Sequence, residues 1–245
     1  MQIIECEQGS RKWHAARLGI PTASRFAAIV TPTGKGVTGA ARTTYMMELL
    51  AERITGHEAR VYVSFDMERG KRLEPVARDW YAETYGETVD LVGFVMSDTG
   101  RHGASPDGIT GPNGCVEIKI PTVGNHIRHL VGDVVPKQWA VQIQGELWVC
   151  ERDVCAFVMY CDDEAVPSMV KTVERDQAVM DALNVYVPAF CDELDQIEAD
   201  LRGRYGMQEG QPIALDLLSA DWCPFGGDGD ETWTPTETTE TEAKK

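Results

Sequence analysis

Three observations predict an α/β fold with a central mixed β-sheet flanked by helices. Apolar residues recur at helical spacing through residues 10–85, residues 89–120 switch to short strand-like runs broken by Gly and Pro, and helical spacing returns after Pro136 and again from Val179. With 245 residues, 43% hydrophobic and 25% charged, the chain can bury a sizeable core without disulfides, and one domain is expected.

The elements follow in order. A short strand at Ile3 and Ile4 is followed by Ser10, a capping residue for a helix from Arg11 to Leu18 that Gly19 ends. Thr22 can cap a second helix over Ala23 to Val30, and Thr31 to Thr38 reads as a loop. Tyr45, Met46, Leu49, Leu50 and Ile54 form the stripe of a helix from Ala40 that stops before Gly56, and a further helix runs from about Asp66 to Tyr85, kinked near Pro75. Strands are expected at Val89 to Met96, Arg101 to Ser105 and Val116 to Ile120, the last two forming a hairpin around Gly111-Pro112-Asn113-Gly114. Pro136 suits the first position of a helix that sets Trp139, Ile143 and Leu147 on one face and Gln138 and Gln142 on another. Cys155 to Tyr160 and Ser168 to Val173 read as strands, and Val179, Leu183, Tyr186, Phe190, Leu194 and Ile197 mark a long acidic helix bent at Pro188. From Gly226 the composition turns to Gly, Thr and Glu, so the expected organisation is a domain over residues 1–225 and an acidic, flexible tail over 226–245.

A net charge of −16 argues, as an average, against gripping a polyanion. Its distribution reverses that inference. Residues 1–145 hold 16 Lys+Arg and 16 Asp+Glu, whereas residues 146–245 hold 7 and 23. Arg11, Lys12, Arg17, Arg25, Lys35 and Arg42 lie in a stretch, residues 8–47, that has no acid at all. The seven cysteines show no C-x-x-C spacing, which disfavours a structural zinc site. Their odd number and the lack of a signal-like N-terminus point to a reducing cytoplasm, and no apolar run approaches the length of a membrane span.

The chemistry concentrates at Ser105-Pro106-Asp107-Gly108 and Val116-Glu117-Ile118-Lys119-Ile120. Alternation along a strand puts Glu117 and Lys119 on one face and Val116, Ile118 and Ile120 on the other, while the hairpin brings Asp107 alongside. Two hard carboxylates suit Mg²⁺ completed by a phosphodiester, with Mn²⁺ a possible substitute, and Lys119 is set to orient or deprotonate water. The same residues could instead form a salt-bridged pair on a solvent-facing hairpin.

The spacing P-D-x₉-E-x-K resembles the signature of the PD-(D/E)XK nuclease superfamily, with its restriction-endonuclease-like core. Further blocks sharpen the likeness: Trp13-His14-Ala15-Ala16-Arg17-Leu18-Gly19 with Thr22-Ala23-Ser24, Gly70-Lys71-Arg72-Leu73-Glu74-Pro75, and Gln142-Ile143-Gln144. In this order they resemble the lambda-type alkaline exonuclease (YqaJ-like viral recombinase) family over residues 10 to 150. The resemblance implies metal ligation by Asp107, Glu117 and the carbonyl of Ile118, catalysis by Lys119, support from Glu74 and Gln142, and a DNA 5′-phosphate pocket at Arg17, Ser24 and Ser105. It further implies a double-strand DNA 5′–3′ exonuclease releasing mononucleotides and leaving 3′ overhangs, a homotrimeric ring around DNA, and a single-strand annealing protein as partner. A structure- or sequence-specific endonuclease, or a non-catalytic DNA-binding recombination protein, remain alternatives. Related RecB-type nucleases often carry a Tyr four residues after the glutamine; Glu146 stands there, so that role is not transferred. His126 and His129 are expected to be polar helix residues outside the site, and Trp13 a packing anchor.

Overall fold

The computed structural model describes residues 1–58 and 64–206. The chain opens with β1 (Gln2–Ile4), α1 (Arg11–Arg17), a 3₁₀ helix (Ala23–Ala28), α2 (Ala40–Thr55) and α3 (Phe65–Tyr85). The middle holds β2 (Val89–Asp90), β3 (Phe94–Met96), β4 (Gly103–Ala104), β5 (Gly108–Thr110) and β6 (Gly114–Lys119). Then come α4 (Val123–Gly132), α5 (Lys137–Val149), β7 (Val154–Met159), β8 (Met169–Glu174) and α6 (Gln177–Tyr205).

Local chemistry accounts for the helix ends. Ser10 caps α1 through its side chain, which accepts from Trp13 N at 3.3 Å, and Asp176 does the same for α6 from Ala178 N and Val179 N. Thr22 makes no such capping bond, and the segment after it is a 3₁₀ helix. Pro136 is the N-cap of α5, one position before the expected place. Neither Pro75 nor Pro188 ends its helix: α3 is held by Ala77 and Tyr81, which pack just after Pro75, and α6 by Leu183, Val187 and Phe190 on both sides of Pro188.

A five-stranded mixed sheet in the order β2-β5-β6-β7-β8 forms the centre, and β6 and β7 are its parallel pair. The expected strand over residues 89–96 divides in two. At Leu91 to Gly93 the chain leaves the central sheet for a second, three-stranded sheet, β1-β3-β4, where Gly93 lies so close to Cys6 that a Cβ would meet its carbonyl oxygen at 2.2 Å. The hairpin partner of β6 is accordingly β5, not residues 101–105, which contribute β4 to the smaller sheet.

Both faces of β6 are covered. Val116 and Ile118 pack on Ala77 and Tyr81 of α3, while Cys115 packs with Ile143 and Leu147 of α5. On its other side α5 lies against the 3₁₀ helix, and Gly145 permits the approach, since a Cβ there would meet Phe26 Cδ2 at 2.6 Å. The α6 stripe of Val179, Leu183, Val187, Phe190 and Leu194 closes this core, with Phe190 stacked on Tyr45 of α2 at 5.7 Å. Each such side chain contributes roughly 1.5–3 kcal/mol through burial.

Arginines of the N-terminal half clamp the acidic helix. Arg42 pairs with Glu193 at 2.5 Å, Arg53 with Asp195 at 2.6 Å, and Arg101 with Asp192 and Asp195 at 2.7 and 2.6 Å. Arg25 is likewise paired, with Glu48 at 2.7 Å. The acid-free stretch is thus neutralised in part by acids elsewhere in the fold, and Arg42 is occupied within the protein. The tail expected from Gly226 lies outside the described residues, among which no helix is long and apolar enough to cross a membrane.

His102 carries a pH-dependent part of the stability. It is buried, stacked on Trp148 at 4.4 Å, and burial first, then Arg101, lowers its pKa to about 4. The unfolded chain therefore binds a proton that the folded chain refuses, and stability is lost as pH falls from about 6.5 towards about 4. The loss expected from this residue at pH 5 is about 2 kcal/mol. Urea midpoints at pH 7 and pH 5 should differ less for His102→Phe than for the unaltered chain; an equal shift would remove His102 as the cause.

Candidate active site

Asp107 stands immediately before β5, and its own N–H donates to the carbonyl of Val116 at 3.0 Å. Its Oδ2 accepts from the N–H of Ile118 at 2.6 Å. The carboxylate therefore extends the ladder beyond the first residue of β5. Backbone groups alternate sides along a strand, so Val116 and Ile118 both turn theirs towards this edge, and the Ile118 carbonyl shares it with Asp107.

Glu117 and Lys119 lie on the α5 side of β6. Glu117 is 1% exposed, which rules out the solvent-facing salt bridge. Its Oε1 accepts from the Lys119 ammonium and, at 2.5 Å, from Gln142 Nε2, which also donates to Glu146 Oε1 at 2.9 Å. Its Oε2 is buried with no hydrogen-bond partner among the described residues. Glu74 approaches from α3, paired with Arg78 at 2.5 Å, and Arg78 Nε donates to the Asp107 carbonyl at 2.9 Å.

The charges are poorly balanced. Burial first, then Glu117 and Glu74, hold the Asp107 carboxyl well above the usual carboxylate range. Burial also raises Glu74; the guanidinium of Arg78 opposes this and Glu117 adds to it. Burial alone would lower the pKa of Lys119, but Glu117 and Asp107 outweigh it and raise it. An ammonium cannot accept a proton, so in this arrangement Lys119 orients and neutralises. The donor set fits a hard divalent cation: Asp107, the free Oε2 of Glu117 and the Ile118 carbonyl supply oxygen, and excess negative charge awaits a counterion.

A second cluster adjoins the first through the Ser105-Pro106-Asp107 connection. Trp13 Nε1 donates to Ser105 Oγ at 2.8 Å, and the Arg17 guanidinium lies over the Trp13 ring, 4.2 Å from its centroid. Ser24 Oγ is 3.2 Å from Thr22 Oγ1, and Thr22 forms a β-bridge with Gly103, two residues before Ser105. Glu58 is a near acid, 2.7 Å from His14 Nδ1 and 4.0 Å from Arg17 Nε. Gln8 steadies the connection by donating to the carbonyls of Val92 and Pro106 at 3.0 and 2.9 Å.

The YqaJ-like viral recombinase domain matches residues 12–153, more than half of the chain and the whole of this constellation except its outer supports. The chain belongs to the YqaJ-like viral recombinase family. Membership places it among the DNA nucleases. The fold is similar to that of the alkaline exonuclease LHK-Exo from Laribacter hongkongensis, at 34% identity and a TM-score of 0.72, over 80% of this chain and 98% of that one. A structure of LHK-Exo in complex with dAMP matches with the same values. A phage-related exonuclease from Haemophilus somnus 129PT shares the fold at 14% identity, with a TM-score of 0.54 over 81% of this chain and 97% of that one. No curated protein matches.

Of the residues assigned to the site from the sequence, Asp107, Glu117, Ile118, Lys119, Glu74 and Gln142 come together in the first cluster. Arg17 and Ser105 meet through Trp13 in the second, to which Ser24 is joined by way of Thr22 and its bridge to Gly103. Trp13 is more than an anchor, since it touches both Arg17 and Ser105. Arg78 was missed, although it was detectable as the i+4 partner of Glu74, and Glu146, noted one turn after Gln142 but given no role, shares the Gln142 amide with Glu117. His129 tilts against Trp139, whereas His126 is fully buried, its Nε2 2.9 Å from the Pro167 carbonyl; it secures α4 rather than facing solvent.

Proposed function

We propose that the chain is a Mg²⁺-dependent exonuclease that degrades one strand of duplex DNA from a 5′ end, releasing mononucleotides and leaving a 3′ overhang for phage-type homologous recombination. Mn²⁺ is an acceptable substitute. The observation that carries the reading is that Asp107 is hydrogen-bonded to the backbone of Ile118, between Glu117 and Lys119, which pair with each other, and that a buried Glu117 oxygen is left without a partner among the described residues.

Asp107, Glu117 and the Ile118 carbonyl would hold the ion. When bound, such a cation supplies Lewis acidity towards a phosphodiester and eases ionisation of water. Gln142 and Lys119 fix Glu117 by occupying one of its oxygens and leaving the other free. Arg78 holds the Asp107 backbone and Glu74 together, so the acids from α3 and from the β5 edge keep one spacing. Lys119 carries positive charge to where a five-coordinate phosphorus centre would gather negative charge. Arg17 offers a planar fork to a terminal 5′-phosphate, with Ser24 and Ser105 adding neutral donors. Linking that pocket to the acids through Ser105-Pro106-Asp107 gives a ruler: the terminal phosphate is bound a short, fixed distance from the bond to be cut.

The same reading assigns residues 1–225 to the nuclease domain and 226–245 to an acidic tail, and it takes a homotrimeric ring, a single-strand annealing protein and the cytoplasm of a bacterial host as the working context. Linear duplex should be degraded and covalently closed circular duplex left intact. Equal cutting of both would favour an endonuclease on the same core, and no cutting of either a non-catalytic DNA-binding protein.

A further inference from the structure

Behind Glu117, on the α5 side of the central sheet, two thiols and a carboxylate converge. Cys115 and Cys155 are direct partners in the parallel β6–β7 pair, so their side chains emerge on the same face, and Glu146 reaches the same point from α5. The two Sγ atoms and a Glu146 oxygen all lie within 4.8 Å of one another. The cysteines are 0% and Glu146 1% exposed, and both thiols are free.

A second observation points to a ligand. Gln142 occupies Glu146 Oε1, but Oε2 is buried with no hydrogen-bond partner among the described residues, an arrangement buried carboxylates avoid. Two soft sulfur donors with one oxygen do not suit Mg²⁺; they suit a borderline or soft divalent ion.

We propose that Cys115, Cys155 and Glu146 form a second metal site, selective for a thiophilic divalent ion such as Zn²⁺ or Cd²⁺. Two sulfur–metal bonds form as the thiol protons pass to solvent, the two thiolates cancel the charge of the ion, and Glu146 supplies an oxygen ligand. The ion joins β6, β7 and α5, three elements that frame the candidate active site. Since Gln142 bridges Glu146 and Glu117, an occupied site also bears on how Glu117 is held. The absence of C-x-x-C spacing does not oppose this, because strand register rather than sequence proximity brings the cysteines together. Neither the nuclease reading nor its ion is needed for the proposal.

The sealed position calls for loading during folding. The full chain, refolded from denaturant with one equivalent of Cd²⁺ and freed of unbound ion by gel filtration, should retain one ion per chain, show the ultraviolet charge-transfer band of a cadmium–thiolate bond, and melt higher than the metal-free chain. Cys115→Ala with Cys155→Ala should lose the band, and Cys6→Ala with Cys191→Ala should keep it. X-ray absorption of the zinc-loaded, unaltered chain should give two sulfur neighbours at about 2.3 Å, the rest being oxygen or nitrogen. That spectrum decides the matter even if the double variant fails to fold. No sulfur around zinc, more than two sulfurs, no band in the unaltered chain, or a band that survives Cys115→Ala with Cys155→Ala would overturn the proposal.

Discussion

Asp107→Asn is expected to abolish Mg²⁺-dependent cleavage while making the metal-free protein more stable. Asparagine keeps the shape and can still accept from the Ile118 N–H, so the end of the hairpin stays closed. What it removes is a negative charge that burial and the neighbouring Glu117 and Glu74 all disfavour. Sites built to hold an ion or a transition state are strained without it, and relieving that strain stabilises the fold at the expense of activity. A loss of at least about 10³-fold in rate, or roughly 4 kcal/mol of transition-state stabilisation, is the expected scale for removing a metal-holding carboxylate. The melting temperature in chelator should rise by a few degrees, since about 1 kcal/mol corresponds to roughly 2–4 °C in a domain of this size. Divalent ion should raise the melting temperature of the unaltered chain and not that of the variant. Cleavage within tenfold of the unaltered rate would show that Asp107 is not a ligand, and a lower melting temperature in chelator would show that its charge is already compensated.

Arg17→Ala should act on one kind of DNA end. A charge-assisted hydrogen bond to phosphate is worth about 1.5–3 kcal/mol, so kcat/KM on 5′-phosphorylated duplex should fall roughly 10- to 100-fold. On 5′-hydroxyl duplex it should scarcely change. Arg17→Lys should recover only part of the loss, because a lysine keeps the charge but neither the fork nor the planar stack on Trp13. An equal loss on both ends would mean that Arg17 supports the fold through Trp13 and Ser105 rather than reading the phosphate.

The candidate site was more legible in the sequence than the sheet that carries it. Glu117 and Lys119 could be placed on one face because a strand alternates; helical spacing separated Gln142 from the apolar face of its helix, and only the family resemblance set it beside the acids. The direction of that face was not legible: both sides of β6 are buried, which depends on α3 and α5 arriving from opposite directions. Short strands were the main source of error. β5 is only three residues long and includes a glycine, so propensity pointed instead to residues 101–105 as the hairpin partner, and the passage between sheets at Leu91 to Gly93 has no turn signature beyond one glycine. Charge patterning was legible as a distribution but not as pairing. The ion pairs of Arg42 and Arg101 with α6 span 151 and 91 residues, beyond the reach of local rules. The meeting of Cys115 with Cys155 is of the same kind, since parallel register brings together residues from separate parts of the chain.

The most direct test of metal-dependent hydrolysis from a 5′ end is digestion of a linear duplex labelled at the 3′ end of one strand, with that strand bearing either a 5′-phosphate or a 5′-hydroxyl, in Mg²⁺ and in chelator. In Mg²⁺ the phosphorylated strand should shorten from its 5′ end with release of mononucleotides, the 3′ label leaving last, and the hydroxyl-ended strand should lag; in chelator neither should shorten. Early loss of the 3′ label, or the same rate in chelator as in Mg²⁺, would contradict the assignment of Asp107, Glu117 and Lys119 as a metal-dependent 5′–3′ exonuclease site.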